Sequence, residues 1–264
     1  MRRRRPSLTR LMGRAWVGLV LVFLYAPILV MALMSFNASE FYALPLDFTL
    51  DWYRRLGSNA EIIAAAWRSL WIALATTAIA TVLGTAAALA LFRYDFPGKR
   101  LLQVLLFPPI AIPWLIIGTA MLIFFFWVGI GRGTPAVILG HVALALPYVI
   151  VVVSARLQGF DRQLEEAARS LGAGQWQVTR HVTLPWIASG VVAGALFAFA
   201  VSFDQFVVSY FLARPGDATL PVVIYTAIRK GFTPEINAIS TIIIVVSMAV
   251  MLAASRYFRF GGER

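Results

Sequence analysis

The feature that most limits how this chain can fold is a set of six long stretches without a charged residue, at 15–36, 69–92, 101–131, 133–155, 182–203 and 236–255. A helix needs about 20 apolar residues to cross a hydrocarbon layer about 30 Å thick, and each stretch reaches that length. Barrel strands alternate apolar and polar residues over about ten positions. These stretches are apolar on every face, and there only a helix satisfies its own backbone groups. Composition agrees, with 60% hydrophobic and 13% charged residues against about 25% charged in soluble domains. The expected fold is an all-α membrane protein with six transmembrane helices.

A formal net charge of +11 could suggest nucleic-acid binding, but the placement of the basic residues argues for topology. Sixteen of the 23 Lys and Arg fall in 1–14, 93–100, 156–181 and 256–264, and the other seven fall in the alternate connections. That asymmetry is the positive-inside rule, so both termini are expected in the cytoplasm and no nucleic-acid partner is expected. The N-terminal Arg-rich run followed by apolar residues resembles a signal peptide. The apolar run is too long for one, and no small-residue cleavage site follows it, so an uncleaved first helix is expected. With no cysteine, disulfides and thiol chemistry are excluded. His141 and His181 have no neighbouring ligand, so no metal site is expected, and His141 is read as a hydrogen-bonded packing residue.

Between the first two spans, Pro45, Trp52, Tyr53 and an amphipathic stretch over 60–67 suggest a segment lying along the membrane surface. Pro108, Pro109 and Pro113 interrupt the third stretch, since each removes a backbone donor and clashes with the preceding turn. Small residues in the second and fifth stretches, including Gly84, Gly190 and Gly194, suit close packing inside a bundle. The implied organisation is a basic tail and first span at 1–36, an outer loop at 37–66, a five-helix core at 67–256 and a tail at 257–264.

The cytoplasmic segment 156–185 is far longer than a turn requires. Leu164, Ala167, Ala168 and Leu171 recur at i, i+3, i+4 and i+7, the stripe of an amphipathic helix. Arg162, Glu165, Glu166 and Arg169 take the other face. Asp161 is a candidate N-cap and Gly172 a candidate stop. A half-alanine apolar face suits docking in a protein groove better than lying in a membrane interface.

These residues carry a resemblance. Glu166-Ala167-Ala168, three residues, Gly172, nine residues and Val182-Thr183-Leu184-Pro185 look like the EAA loop of binding-protein-dependent ABC importer permeases, with Val182 in place of the family's Ile. Pieces such as FRYDFPGKR, SARLQGFD, SFDQFVVSYF and LPVVIY resemble the C-type permeases of spermidine/putrescine importers. The resemblance implies a type I ABC importer permease in the bacterial inner membrane, with two ATPase subunits, a second, paralogous permease and a periplasmic solute-binding protein as partners. It implies that residues 161–171 couple to the ATPase, with Leu184 and Pro185 closing the motif. There is no phosphate-binding G-x-x-x-x-G-K-[ST] loop. No cofactor is expected on this chain, and ATP and Mg are expected on the ATPase partner.

Asp204 is the acid that stands beside the fifth stretch. An ionisable group at membrane depth marks a pathway or an ion pair. Counting from Trp186 places Asp204 about 27 Å along its helix, towards the outer interface. Ser202, Gln205 and Ser209 follow at i, i+3 and i+7, and Tyr210 offers an aromatic face, so these five residues are the expected solute pathway for a cation. Gln205 stands where the polyamine pattern tends to carry a second acid. The same importer class acting on an amino-acid derivative, an opine or iron is the alternative. A secondary transporter has no need of the 156–185 loop, and an intramembrane enzyme lacks a paired catalytic constellation here.

Overall fold

A computed structural model describes residues 8–39, 44–106, 108–231 and 234–261. Helices dominate the described residues. They are α1 Leu8–Met34, α2 Asp51–Ser58, α3 Ala60–Arg93, α4 Lys99–Leu105, α5 Pro108–Ala111, α6 Trp114–Trp127 and α7 Thr134–Leu157. The chain continues with α8 Gln163–Ser170, α9 Gln175–Val178, a π-helical turn Thr179–Thr183, α10 Leu184–Phe203, α11 Val207–Leu212, α12 Leu220–Lys230 and α13 Pro234–Gly261. Four described helices are long and apolar enough to cross a bilayer, namely Met12–Met34, Ala60–Arg93, Thr134–Leu157 and Gln175–Phe203. A fifth candidate is the pair Lys99–Ala111 and Trp114–Trp127, bent by 111°. Pro113, at φ −54° and ψ 131°, has an extended backbone between them, so the third stretch is not one straight span. The sixth stretch lies within the 28 residues of α13.

The described residues within 1–60 and 226–257 form one compact unit, and those within 61–225 and 258–264 form a second. In the first, the end of α1 is tied to α2. Trp52 donates its indole N–H to the Asn37 carbonyl at 2.8 Å, and the Ser35 and Tyr53 hydroxyls lie 2.6 Å apart. Trp52 is buried and so packs within the protein. The expected surface segment over 60–67 is not separate, because it forms the first two turns of α3. Ala60, Ala64, Ala65 and Ala66 are strong helix formers with no breaker among them, so the helix enters its apolar run without interruption.

In the second unit, α3, α7 and α10 share a core that includes Ala80, Ala88, Ala145, Val149, Val153, Ile187 and Ala198. A second cluster joins Ile72, Phe125, Val137, Leu144, Val208 and Leu212. Small residues set the spacing. A Cβ added at Gly84 would stand 2.7 Å from both Cβ and Cγ1 of Val149, and one at Gly194 would stand 3.3 Å from Val149 Cγ1. Val149 is therefore gripped between two glycine faces, which places Gly194 in packing within the chain.

Gly84→Ala is expected to push α3 from α7 and to cost about 1–3 kcal/mol of overpacking, more than the gain in helix propensity returns. Thermal unfolding in detergent should show the loss, and adding Val149→Ala should restore part of it. Gly18→Ala, where a Cβ meets nothing within 4 Å, is the neutral control.

Candidate functional site

The short helix α8 is bounded sharply at both ends. Asp161 Oδ1 accepts the Gln163 N–H at 2.9 Å, so its carboxylate caps the first turn from the position before Arg162. At the far end the Gly172 N–H meets the Arg169 carbonyl at 2.9 Å and the Ala173 N–H meets the Ala168 carbonyl at 3.1 Å. Those two bonds are a Schellman motif, which needs a left-handed residue at the stop. Gly172 supplies it at φ +89°.

Of the apolar stripe, Leu171 is 90% exposed and Leu164 is 45% exposed. Ala167 and Glu166 are exposed and Ala168 is half-buried. The helix thus presents an uncovered apolar face with a carboxylate beside it. Leu184 packs against the first core cluster, and Pro185 lies in the first turn of α10.

The opposite face differs from the sequence expectation. Glu165 does not join Arg162, Glu166 and Arg169 on a solvated surface but is buried. Its Oε1 meets Arg93 Nη2 at 2.5 Å and accepts the Thr183 hydroxyl at 2.6 Å. Its Oε2 meets Arg169 Nη2 at 3.1 Å. Arg93 also donates to the hydroxyls of Thr179 at 2.9 Å and Thr183 at 2.8 Å. Arg162 adds a second tie to α3, donating to the Phe92 carbonyl with its guanidinium 4.5 Å from the centre of the Phe92 ring.

One carboxylate therefore joins α8 to the last residue of α3 and to the π-helical turn that leads into α10. π-Turns concentrate at functional sites, and this one carries both threonine hydroxyls to Arg93. Burial pushes the Glu165 carboxyl up. The hydrogen bonds from Thr183 and Arg93 and the charges of Arg93 and Arg169 outweigh it and hold the group below its ordinary value. The contribution of this clamp is complete above the ordinary carboxylate range and is lost as pH falls through the lowered value.

At the other end of α10 the helix breaks. Asp204 ends it, and α11 starts at Val207. The five expected pathway residues separate here. Asp204 and Tyr210 are exposed, whereas Ser202, Gln205 and Ser209 are buried. The Ser202 and Ser209 hydroxyls bond the ring of His141, and Gln205 Oε1 accepts the Val207 N–H at 3.1 Å. The i, i+3, i+7 spacing finds the polar face but not its partner, which belongs to α7. Two residues past Asp204 in the chain, the Phe206 ring packs with those of Tyr210 and Tyr225, with centroids 4.5–6.0 Å apart. Tyr225, from α12, is not linked to this site by any local pattern.

Residues 80–260 match the family described as binding-protein-dependent transport system inner membrane component. The chain belongs to this family. It is a membrane permease subunit and not an enzyme. It is 35% identical over 245 residues to the spermidine/putrescine transport system permease protein PotC of Escherichia coli (strain K12), covering 93% of each. It is 36% identical over 229 residues to the putrescine transport system permease protein PotI of the same strain, covering 84% of this permease and 82% of PotI. Among solved structures, a bacterial ABC transporter involved in the import of the acidic polysaccharide alginate superposes with a TM-score of 0.76 at 15% identity, covering 98% of this permease and 100% of that chain. At that identity the likeness concerns the fold, which is that of an ABC importer permease.

Arg93→Ala or Glu165→Ala is expected to destabilise the permease by about 3–5 kcal/mol, because each leaves a buried charge without its partner. Replacing both, as in Arg93→Met with Glu165→Leu, should cost less than either single change. Thermal unfolding of the three variants checks the order. A double variant less stable than both singles would mean that the pair is not the joint.

Proposed function

We propose that this permease is the membrane path of an ATP-driven, binding-protein-dependent importer for spermidine, putrescine or a related small cationic solute in the bacterial inner membrane. Six spans with both termini in the cytoplasm, and a core at 67–256, are the topology we assign to it. The charge asymmetry and the length of α13 support this topology. Its partners in this reading are two ATPase subunits that hold ATP and Mg, a second, paralogous permease, and a periplasmic solute-binding protein.

The observation that carries the mechanism is that α10 connects two different kinds of site. At its start, α8 offers Leu164, Ala167 and Leu171 for docking to an ATPase and is clamped through Glu165 to α3 and to the π-turn. At its end, about 30 Å away at the rise of an α-helix, Asp204 stands exposed, two residues before Phe206 and its aromatic cluster. Closure of the ATPases moves α8, and the clamp passes that movement to the membrane helices. Asp204 then supplies a negative charge, and Phe206, Tyr210 and Tyr225 supply ring faces that attract an ammonium. The polyamine assignment draws on the identity to PotC and PotI together with this carboxylate.

The test is ATP- and binding-protein-dependent putrescine uptake by the reconstituted importer, normalised to assembled complex. An exposed carboxylate is screened by water and contributes about 1 kcal/mol, so Asp204→Asn is expected to slow uptake by about fivefold. Asp204→Glu should retain most of the rate. Asn at the parent rate would mean that Asp204 does not serve a cation. Gly172→Asp should insert and assemble but lose uptake, since an L residue resists the left-handed stop. Normal uptake by that variant would remove α8 from the coupling path.

A further inference from the structure

The break at 204–206 leaves helix ends inside the second unit, and such ends need partners for their backbone groups. Gln205 supplies one from within, since its Oε1 lies 3.1 Å from the Val207 amide and 3.5 Å from that of Val208. A second side chain holds the break from outside. His141, on α7, is 1% exposed. Its Nδ1 lies 2.9 Å from Ser202 Oγ and its Nε2 lies 3.0 Å from Ser209 Oγ. Ser202 belongs to the last turn of α10 and Ser209 to the first turn of α11. One rigid ring is therefore bonded to both sides of the interruption.

The surroundings make this joint specific. A neutral imidazole carries one donor and one acceptor, and a serine hydroxyl serves as either, so both bonds form in either tautomer. The neighbouring residue brings α7 close enough for the ring to reach. A Cβ at Gly140 would stand 2.8 Å from Val208 Cγ1 and 2.9 Å from Leu212 Cδ1. Between the two serines, Asp204 is exposed while Gln205 is buried.

We propose that His141 is a positioning residue for solute passage: by bonding Ser202 and Ser209 it fixes the two helix ends relative to each other and so fixes where Asp204 points. This rests on the reading of Asp204 as a pathway group. His141 itself touches no solute in this arrangement.

The chain contains no cysteine, so Asp204→Cys gives this subunit a single thiol, which is spin-labelled before the subunit is assembled into the full importer. His141→Phe keeps the bulk of the ring and removes both bonds. His141→Gln keeps a donor and an acceptor on one planar group. With His141 present, the label at position 204 should give an ordered spectrum. His141→Phe should convert it to a mobile one, and His141→Gln should keep most of the ordered component. With Asp204 intact, His141→Phe should lower the maximal rate of putrescine uptake per assembled complex by about tenfold, and His141→Gln should recover much of it. An ordered spectrum in His141→Phe overturns the proposal, whatever uptake does. If His141→Phe does not assemble, Ser202→Ala with Ser209→Ala removes the same bonds from the other side and must mobilise the label. A mobile label combined with parent-rate uptake by Asp204→Asn keeps the pin and overturns the pathway reading instead.

Discussion

The structure depends on a carboxylate that has been removed from water and given a full set of partners. Burying Glu165 would be costly if it stood alone, because an unpaired charge in a low-dielectric site is strongly disfavoured. Arg93, Thr183 and Arg169 offset that cost with short, charge-assisted bonds, which are about twice as strong as neutral ones. A buried pair of this kind adds little stability compared with apolar residues of the same volume. Its value lies in geometry. The members come from three places, namely the end of α3, the short helix α8 and the turn before α10, and only one arrangement satisfies them all.

That geometry explains why α8 can be both exposed and rigid. Its outer face, with Leu171 almost fully exposed, is uncovered among the described residues, while its inner face is held to α3 and to the turn that leads into α10. A short helix held only by loops would move without moving anything else. The core carries the constraint further. Val149 sits against Gly84 on one side and Gly194 on the other, so α3, α7 and α10 are packed without slack. The same α10 ends at the break beside Asp204, where Gln205 and His141 again meet helix-end or hydroxyl groups with side chains. Both ends of α10 are thus places where helical regularity is interrupted and polar side chains replace the missing order.

Much of this is legible in the sequence, and the partners that stay hidden are those far away along the chain. Charge-free length points to the four long apolar helices and the bent pair, and the spacing from Glu166 to Pro185 points to the short helix α8 and its sharp ends, because both signals are local. The stop at Gly172 and the cap at Asp161 were readable for the same reason. Glu165 was placed on the wet face because helical periodicity reports which residues share a side, not what lies opposite. Its i+4 partner Arg169 was visible, but Arg93, 72 positions earlier, was not. Spacing groups Ser202 with Ser209 but does not show their partner His141, which lies 61 and 68 positions away. The helical start at Ala60 was misread for a different reason, since an amphipathic pattern does not reveal whether the helix continues past it.

The central claim is that α8 and the end of α3 move as one body because Glu165 joins them. It is tested most directly by the distance between spin labels on Ser170→Cys and Tyr94→Cys, two exposed positions that then carry the only thiols of this otherwise cysteine-free chain. The distance would be measured in the assembled importer with and without nucleotide. The clamp predicts one narrow distance that is the same in both states, and a broad, nucleotide-dependent distribution once Glu165→Gln weakens the joint. A distance in the parent that changes with nucleotide would contradict the account, because α8 would then move independently of the helix it is said to drive.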